Sequence, residues 1–223
     1  MTNFKVTVTL DTLCPWCYVG HKQLQLAEQL WKHTHPHSDD TFLVRYQSIQ
    51  LQPIGPKGPA SSVSKEQFFA ERFGKERSET IHEYIKNVGK AVGIDFKFGG
   101  RTGNSWDSHR LIHLAKKYGE EVEGKVLDGV FAAHFEQERD ITQYSTLERI
   151  AIEAGIPVDD FRKAIIDSDI GGLEVDQATN QSRLNGVASV PDYVIQDRYQ
   201  LRGANDVGGF IRVFERVKAE EAT

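Results

Sequence analysis

Cysteine is scarce in this chain: 223 residues contain two, Cys14 and Cys17. A disulfide framework is thereby excluded, and the length is enough for one domain, with or without a large insertion, to build a core that needs no staples. A long hydrophobic run is missing too. No segment approaches membrane-spanning length, and MTNFKVTVTLD at the N-terminus lacks the unbroken apolar stretch of a secretory signal. The expectation is a cytoplasmic protein with no membrane partner. Basic charge is not in excess: 27 Lys and Arg against 32 Asp and Glu leave a formal charge of −5 and a pI near 5.9, with no basic stripe to neutralise phosphates. Nucleic acid is therefore not an expected partner. Internal repeats and low-complexity tracts are absent as well. What remains, 39% hydrophobic and 26% charged residues, describes an ordinary globular protein.

Phe4, Val6, Val8 and Leu10 alternate with Lys5, Thr7 and Thr9, which predicts a strand ending just before the cysteines. Leu24, Ala27, Leu30 and Trp31 recur at helical spacing behind them. A second strand is predicted over Thr41 to Ser48, with Phe42, Val44 and Tyr46 on one face, so the opening reads βαβ. LQPIGPKGPASS is a connecting loop. Ser64 with Gln67 has capping-box spacing before QFFAERFG, and an amphipathic stretch runs from about Ser78 to Val92. FKFGGRTGN interrupts it. Leu111, Leu114, Ala115 and Tyr118 then form one helical stripe, and Val126, Leu127, Val130, Phe131 and Phe135 form others. Ser145 and Glu148 have the spacing of a second capping box, Gly155 supplies a stop, and Pro157 opens the next helix. No strand is predicted between Ser64 and Leu184. Asp192 to Gln196 and Tyr199 to Arg202 then flank Asp197-Arg198 as a hairpin, and Val207, Phe210, Ile211, Phe214 and Val217 make the apolar face of a last helix. The predicted class is α/β, βαβ…ββα, with four or five strands in a mixed sheet. Its halves are 1–63 and 185–223, and 64–184 is an inserted helical domain.

In Cys14-Pro15-Trp16-Cys17, Pro15 suits the first turn of a helix, which sets the Cys14 sulfur at the helix N-terminus. Free backbone N–H groups and the positive end of the helix dipole favour a thiolate there. Cys17, about one turn further in, is within reach of a mixed disulfide on Cys14. Two other uses compete. Zinc needs about four ligands, and His21 alone does not complete a set with two cysteines. An inert pair packed as small hydrophobes is the other alternative. Redox exchange is favoured because the C-x-x-C follows a strand and opens a helix within βαβ. The second clue is Val190-Pro191, a proline at the very start of a strand, which marks an edge or a special turn.

CPWCYVG after a strand ending at Asp11, NSWDSHRLIHLA in mid-chain, and GVASVPDYVI before LRGAN together resemble the FrnE-like branch of DsbA-type thioredoxin-fold oxidoreductases, over nearly the whole chain. The resemblance implies a thioredoxin domain interrupted by a helical one and a cytoplasmic dithiol–disulfide oxidoreductase. In it Cys14 would be the nucleophile, Cys17 the resolving thiol and Pro191 a cis-proline that frees backbone groups of Val190 for an extended substrate. Relatives commonly read Asn-Thr and Ala-His-Arg where this chain has Asn104-Ser105 and Ser108-His109-Arg110, and an aromatic residue where it has Asp192. These departures bear on substrate more than on reaction. With no histidine between the cysteines, a milder oxidant than DsbA is expected. The protein or small-molecule substrate, a thiol or disulfide, would lie across Pro15, Trp16, Val190 and Pro191, with Trp16 exposed to it. No metal, flavin or nucleotide is implied, and the chain is expected to be a monomer or homodimer.

A related branch, the kappa-class glutathione transferases and 2-hydroxychromene-2-carboxylate isomerases, carries serine at the nucleophile position. On that alternative, glutathione is a co-substrate and Arg101, Asn104 and Ser105 line a small-molecule cleft. A non-catalytic thioredoxin-fold binding module is the third reading. His109 and His113, four apart, form either a metal face or a solvated or substrate-lining one, and the second is favoured. Asp11 either takes a proton from Cys17 or caps backbone N–H groups. GGRTG lacks the Gly-Lys-Ser/Thr ending of a phosphate loop.

Overall fold

The computed structural model describes residues 1–51 and 54–221. In chain order the elements are β1 (Asn3–Leu10), α1 (Pro15–Thr34), β2 (Thr41–Ser48), β3 (Val63–Ser64), α2 (Lys65–Phe73) and α3 (Lys75–Lys90). They continue through β4 (Arg101–Thr102), α4 (Trp106–Ala115), α5 (Glu120–Phe135), α6 (Tyr144–Ala154), α7 (Val158–Phe161), α8 (Gly172–Leu184), β5 (Asp192–Ile195), β6 (Tyr199–Arg202) and α9 (Val207–Glu221). The main sheet has the order β2-β1-β5-β6. β1 runs parallel to β2 and antiparallel to β5, and β5 pairs antiparallel with β6. The first and last pieces of the chain thus share one sheet, and the helices between them pack beside it.

The alternation in β1 decides what the sheet buries: Phe4, Val6, Val8 and Leu10 are all at most 2% exposed. Phe4 meets Trp31 of α1 at 5.1 Å, Phe42 of β2 at 4.9 Å and Phe214 of α9 at 5.0 Å between ring centroids, so one aromatic cluster joins α1 and α9 to the sheet. In α5, Val126, Leu127, Val130, Phe131 and Phe135 are buried as their spacing predicts. Gly155 ends α6 in the left-handed conformation at φ 101°.

Several expectations need correction. The main sheet has four strands among the described residues, within the expected four or five, but FKFGGRTGN does contain a strand, β4, paired with β3. Two residues are too few to show a period of two. The capping box at Ser145 does not form: α6 starts at Tyr144, one residue earlier, so Ser145 already lies in the first turn and Gln143 is the extended residue before it. Ser64 does accept a hydrogen bond from the Gln67 N–H, at 3.3 Å. Leu30 is 42% exposed, on the far side of α1 from the core. The hairpin turns at Gln196-Asp197, both at φ 53°, one residue before the expected pair, with the Arg198 N–H donating to the Ile195 carbonyl at 3.1 Å. Of the LQPIGPKGPASS loop, Gln52 and Pro53 lie outside the described residues; Pro59–Ser61 forms a short 3-10 turn.

Gly20 holds α1 close to β5. A Cβ there would lie 2.2 Å from Tyr193 Oη and 2.9 Å from Pro191 Cγ. Gly20→Ala gains about 1 kcal/mol of helix propensity but forces the two elements apart, which costs about 1–3 kcal/mol or more. We expect a lower urea midpoint with an unchanged slope; a higher midpoint would show that α1 and β5 separate freely.

Candidate active site

β1 delivers the chain to the loop Asp11–Leu13, and Cys14 is the residue from which α1 starts. Its backbone is extended (φ −91°, ψ 114°), and Pro15 follows in the first turn. The Cys14 N–H donates to the Asp11 carbonyl at 3.1 Å, and the Cys17 N–H returns to the Cys14 carbonyl at 3.0 Å. One helical turn therefore separates the two thiols, which are both free. Cys14 is partly exposed and Cys17 is 1% exposed. Burial raises the pKa of the Cys17 thiol well above its ordinary value, and the hydrogen bond and charge of the Cys14 sulfur act in the same direction. Cys17 is thus held as a protonated thiol beneath its partner.

The hairpin side closes over this pair. Cys14 Sγ lies 3.7 Å from the Val190 carbonyl oxygen, and the Val190–Pro191 peptide is cis. The Pro191 carbonyl accepts from the Gly203 N–H at 2.8 Å, which ties this turn to the end of β6. Tyr193 sits below, its Oη buried and unpartnered, and burial raises its pKa.

The helical region holds the loop from the other side. Asp11 Oδ1 accepts from the Leu13 N–H at 3.2 Å and Oδ2 from the Leu51 N–H at 2.9 Å, so this buried carboxylate caps backbone donors, the second of its two expected roles. Thr12 Oγ1 and Ser108 Oγ are 2.7 Å apart, and His109 Nε2 lies 3.4 Å from Asp11 Oδ1. His109 is turned inward, fully buried, rather than onto a solvated or substrate-lining face. Arg110, also buried, donates to the carbonyls of Ile165 and Ile170 at 3.2 and 3.0 Å and pairs with Asp107 at 2.6 Å, clasping the segment between α7 and α8. The mid-chain motif thus holds the cysteine loop and the helical block together.

Of the residues expected to meet substrate, Cys14, Pro15, Trp16, Val190 and Pro191 converge around the helix N-terminus. Asn104 and Ser105 do not. Both are buried, and Asn104 Oδ1 accepts from Gln50 Nε2 at 2.7 Å and from the Trp106 N–H at 3.0 Å, while Ser105 Oγ accepts from Gln50 Nε2 at 3.3 Å. Their polar atoms serve the start of α4, and their assignment to a cleft is withdrawn. Arg101 is likewise held away, bonded to Ser62 at 2.6 and 2.9 Å. Trp16 is only half exposed, because Tyr84 of α3 leans on its ring at 5.8 Å. Beside Cys14 and Pro15 opens a cavity of about 410 Å³, walled by Phe68, Phe69, Arg72 and Phe73 of α2. The sequence reading missed this wall. Its signal was available in QFFAERF: only Lys65 of α2 is fully buried, so the three phenylalanines face something other than core.

Fold and site together define a thioredoxin-type protein with a dithiol at a helix N-terminus and a helical block inserted between its halves. The chain belongs to the family of the DSBA-like thioredoxin domain, whose profile matches residues 5–212. Solved structures with the same fold include a probable DsbA oxidoreductase from Streptomyces coelicolor, 23% identical, with a TM-score of 0.84 over 97% of this chain and 91% of that one. A 2-hydroxychromene-2-carboxylate isomerase matches at 17% identity and a TM-score of 0.70, over 98% of each chain. The cytosolic disulfide reductase DsbM from Pseudomonas aeruginosa, solved with glutathione, matches at 14% identity and 0.58, over 98% and 97%. No curated protein matches the sequence. Among the described residues no helix is long and apolar enough to cross a membrane.

The burial of Cys17 makes a prediction. Iodoacetamide at neutral pH should modify Cys14 first in the reduced protein. In Cys14→Ser, Cys17 should still react more slowly than a free thiol, because burial, the largest cause of its raised pKa, persists. Peptide mass mapping over time reads both; equal rates at the two cysteines would contradict the arrangement.

Proposed function

We propose that this protein is a thiol–disulfide oxidoreductase with Cys14 as nucleophile and Cys17 as resolving thiol. The observation that carries the reading is the contrast between the two sulfurs: one opens to a cavity at a helix N-terminus, the other is sealed one turn below it. The Cys14 thiolate attacks a disulfide of the substrate, forming a Cys14–substrate S–S bond and releasing one substrate thiolate. Cys17 then gives its proton to the released substrate thiolate and attacks Cys14, forming the Cys14–Cys17 bond and releasing the second thiolate. Two electrons pass from protein to substrate, and the reverse sequence oxidises a substrate dithiol. Bonding of Cys14 to the substrate removes its thiolate charge, which behind burial is one of the causes that raise the Cys17 pKa, so resolution becomes easier once the mixed disulfide exists.

The Val190 carbonyl and the Pro191 turn offer a backbone edge beside the sulfur for an extended substrate. Glutathione is the proposed co-substrate that returns the protein to its dithiol, and the proposed setting is the cytoplasm, where disulfides are kept reduced. The same reading treats 1–63 and 185–223 as the two thioredoxin-like parts and 64–184 as the insertion. The apolar cavity beside Cys14 also suits a glutathione-dependent isomerase or transferase acting on a small aromatic compound, which stands as the second reading.

Variants separate the two. With oxidised glutathione, Cys17→Ser should accumulate a Cys14–glutathione mixed disulfide visible by intact mass, and Cys14→Ser should form none and lose disulfide turnover to background. Turnover that survives Cys14→Ser contradicts the proposal. Glutathione-dependent turnover of a small substrate that survives Cys17→Ser in full favours the second reading.

A further inference from the structure

The cavity beside Cys14 has a chemical character of its own. Its volume of about 410 Å³ is at the small end of the range of ligand sites, about 300–1,000 Å³. Phe69 and Phe73 stack at 5.9 Å between centroids, and Phe68 stands edge-on to Phe69 at 5.7 Å, so α2 presents a wall of ring faces and edges. Such a wall recognises a flat apolar body. Among the described residues one cation lines the cavity. Arg72 lies beside the Phe73 ring, 5.2 Å from its centroid, and no carboxylate of the described residues forms an ion pair with it. The other charged lining residue, Asp11, is buried, and its two oxygens already accept from the Leu13 and Leu51 N–H groups.

We propose that the aromatic wall of α2 and Arg72 form a recognition site for a small aromatic thiol or disulfide that bears a carboxylate, held with its sulfur toward Cys14. This rests on the oxidoreductase reading and adds the class of substrate. The rings of Phe68, Phe69 and Phe73 take the aromatic body, and the guanidinium, with a rigid fork of donors, takes the carboxylate. The step is the exchange described above, with the aryl thiolate as leaving group.

Two probe disulfides test it on the reduced full-length protein: 5,5′-dithiobis(2-nitrobenzoate), which carries carboxylates, and 2,2′-dithiodipyridine, which carries none. Each releases a coloured thiol as Cys14 reacts. Arg72→Met should slow the carboxylated probe about tenfold, the size of one charge-assisted hydrogen bond, and change the neutral probe less than about twofold; these bounds follow the same arithmetic. Arg72→Lys should fall between wild type and Arg72→Met with the carboxylated probe. Lys75→Met, an exposed change of equal charge outside the cavity lining, controls for long-range attraction and should leave both rates near wild type. Equal slowing of both probes by Arg72→Met, or equal effects of Arg72→Met and Lys75→Met, overturns the site while leaving the dithiol chemistry standing. Failure of wild type to react with either probe overturns both.

Discussion

The close approach of α1 to the turn before β5 is the constraint on which the site depends. Gly20 lets Tyr193 and Pro191 come against the first turns of the helix, and this brings the Val190 carbonyl within 3.7 Å of the Cys14 sulfur. The two ends of the chain meet here: residues 14 and 190 are far apart in sequence, and the sheet order β2-β1-β5-β6 makes them neighbours. With that contact set, Cys17 has nowhere to point except into the core between α1 and the sheet, where it is 1% exposed. The difference in exposure between the cysteines is thus a consequence of packing, since both residues are chemically the same.

The helical region contributes on the opposite side. α4 reaches under the cysteine loop through Ser108 and His109, and Asp11 ties that loop to the segment after β2 through the Leu51 N–H. Arg110, spreading its donors over carbonyls after α7, keeps α4 in register with the rest of the block. α2 is anchored at its first residue, where the buried Lys65 Nζ donates to the His134 carbonyl at 2.7 Å and burial lowers its pKa to about 8. From that anchor the helix swings its phenylalanines toward Cys14. A hydrogen-bonded loop and an apolar wall therefore flank one partly exposed sulfur.

Much of this was legible in the sequence. The alternation in Phe4 to Leu10, the Pro15 after Cys14 and the βαβ…ββα order are local signals, and local signals carry helix starts and strand faces well. The misread features depend on tertiary position. The isomerase alternative expects Asn104 and Ser105 in a cleft, yet Gln50, distant in sequence, uses their oxygens. Trp16 looks free until Tyr84 arrives from α3. β3 and β4 are two residues each and have no period to detect. The α2 wall was visible only as an excess: three phenylalanines on a short helix, with no statement of what they would face.

The central claim is that Cys14 and Cys17 interconvert between dithiol and disulfide. Equilibrating the protein across a series of reduced and oxidised glutathione, then trapping free thiols by alkylation and counting them by mass, tests it most directly. The account predicts a reversible two-electron transition in which both thiols disappear together. Retention of both free thiols at every poise, or a glutathione adduct on Cys14 that Cys17 never displaces, would contradict it.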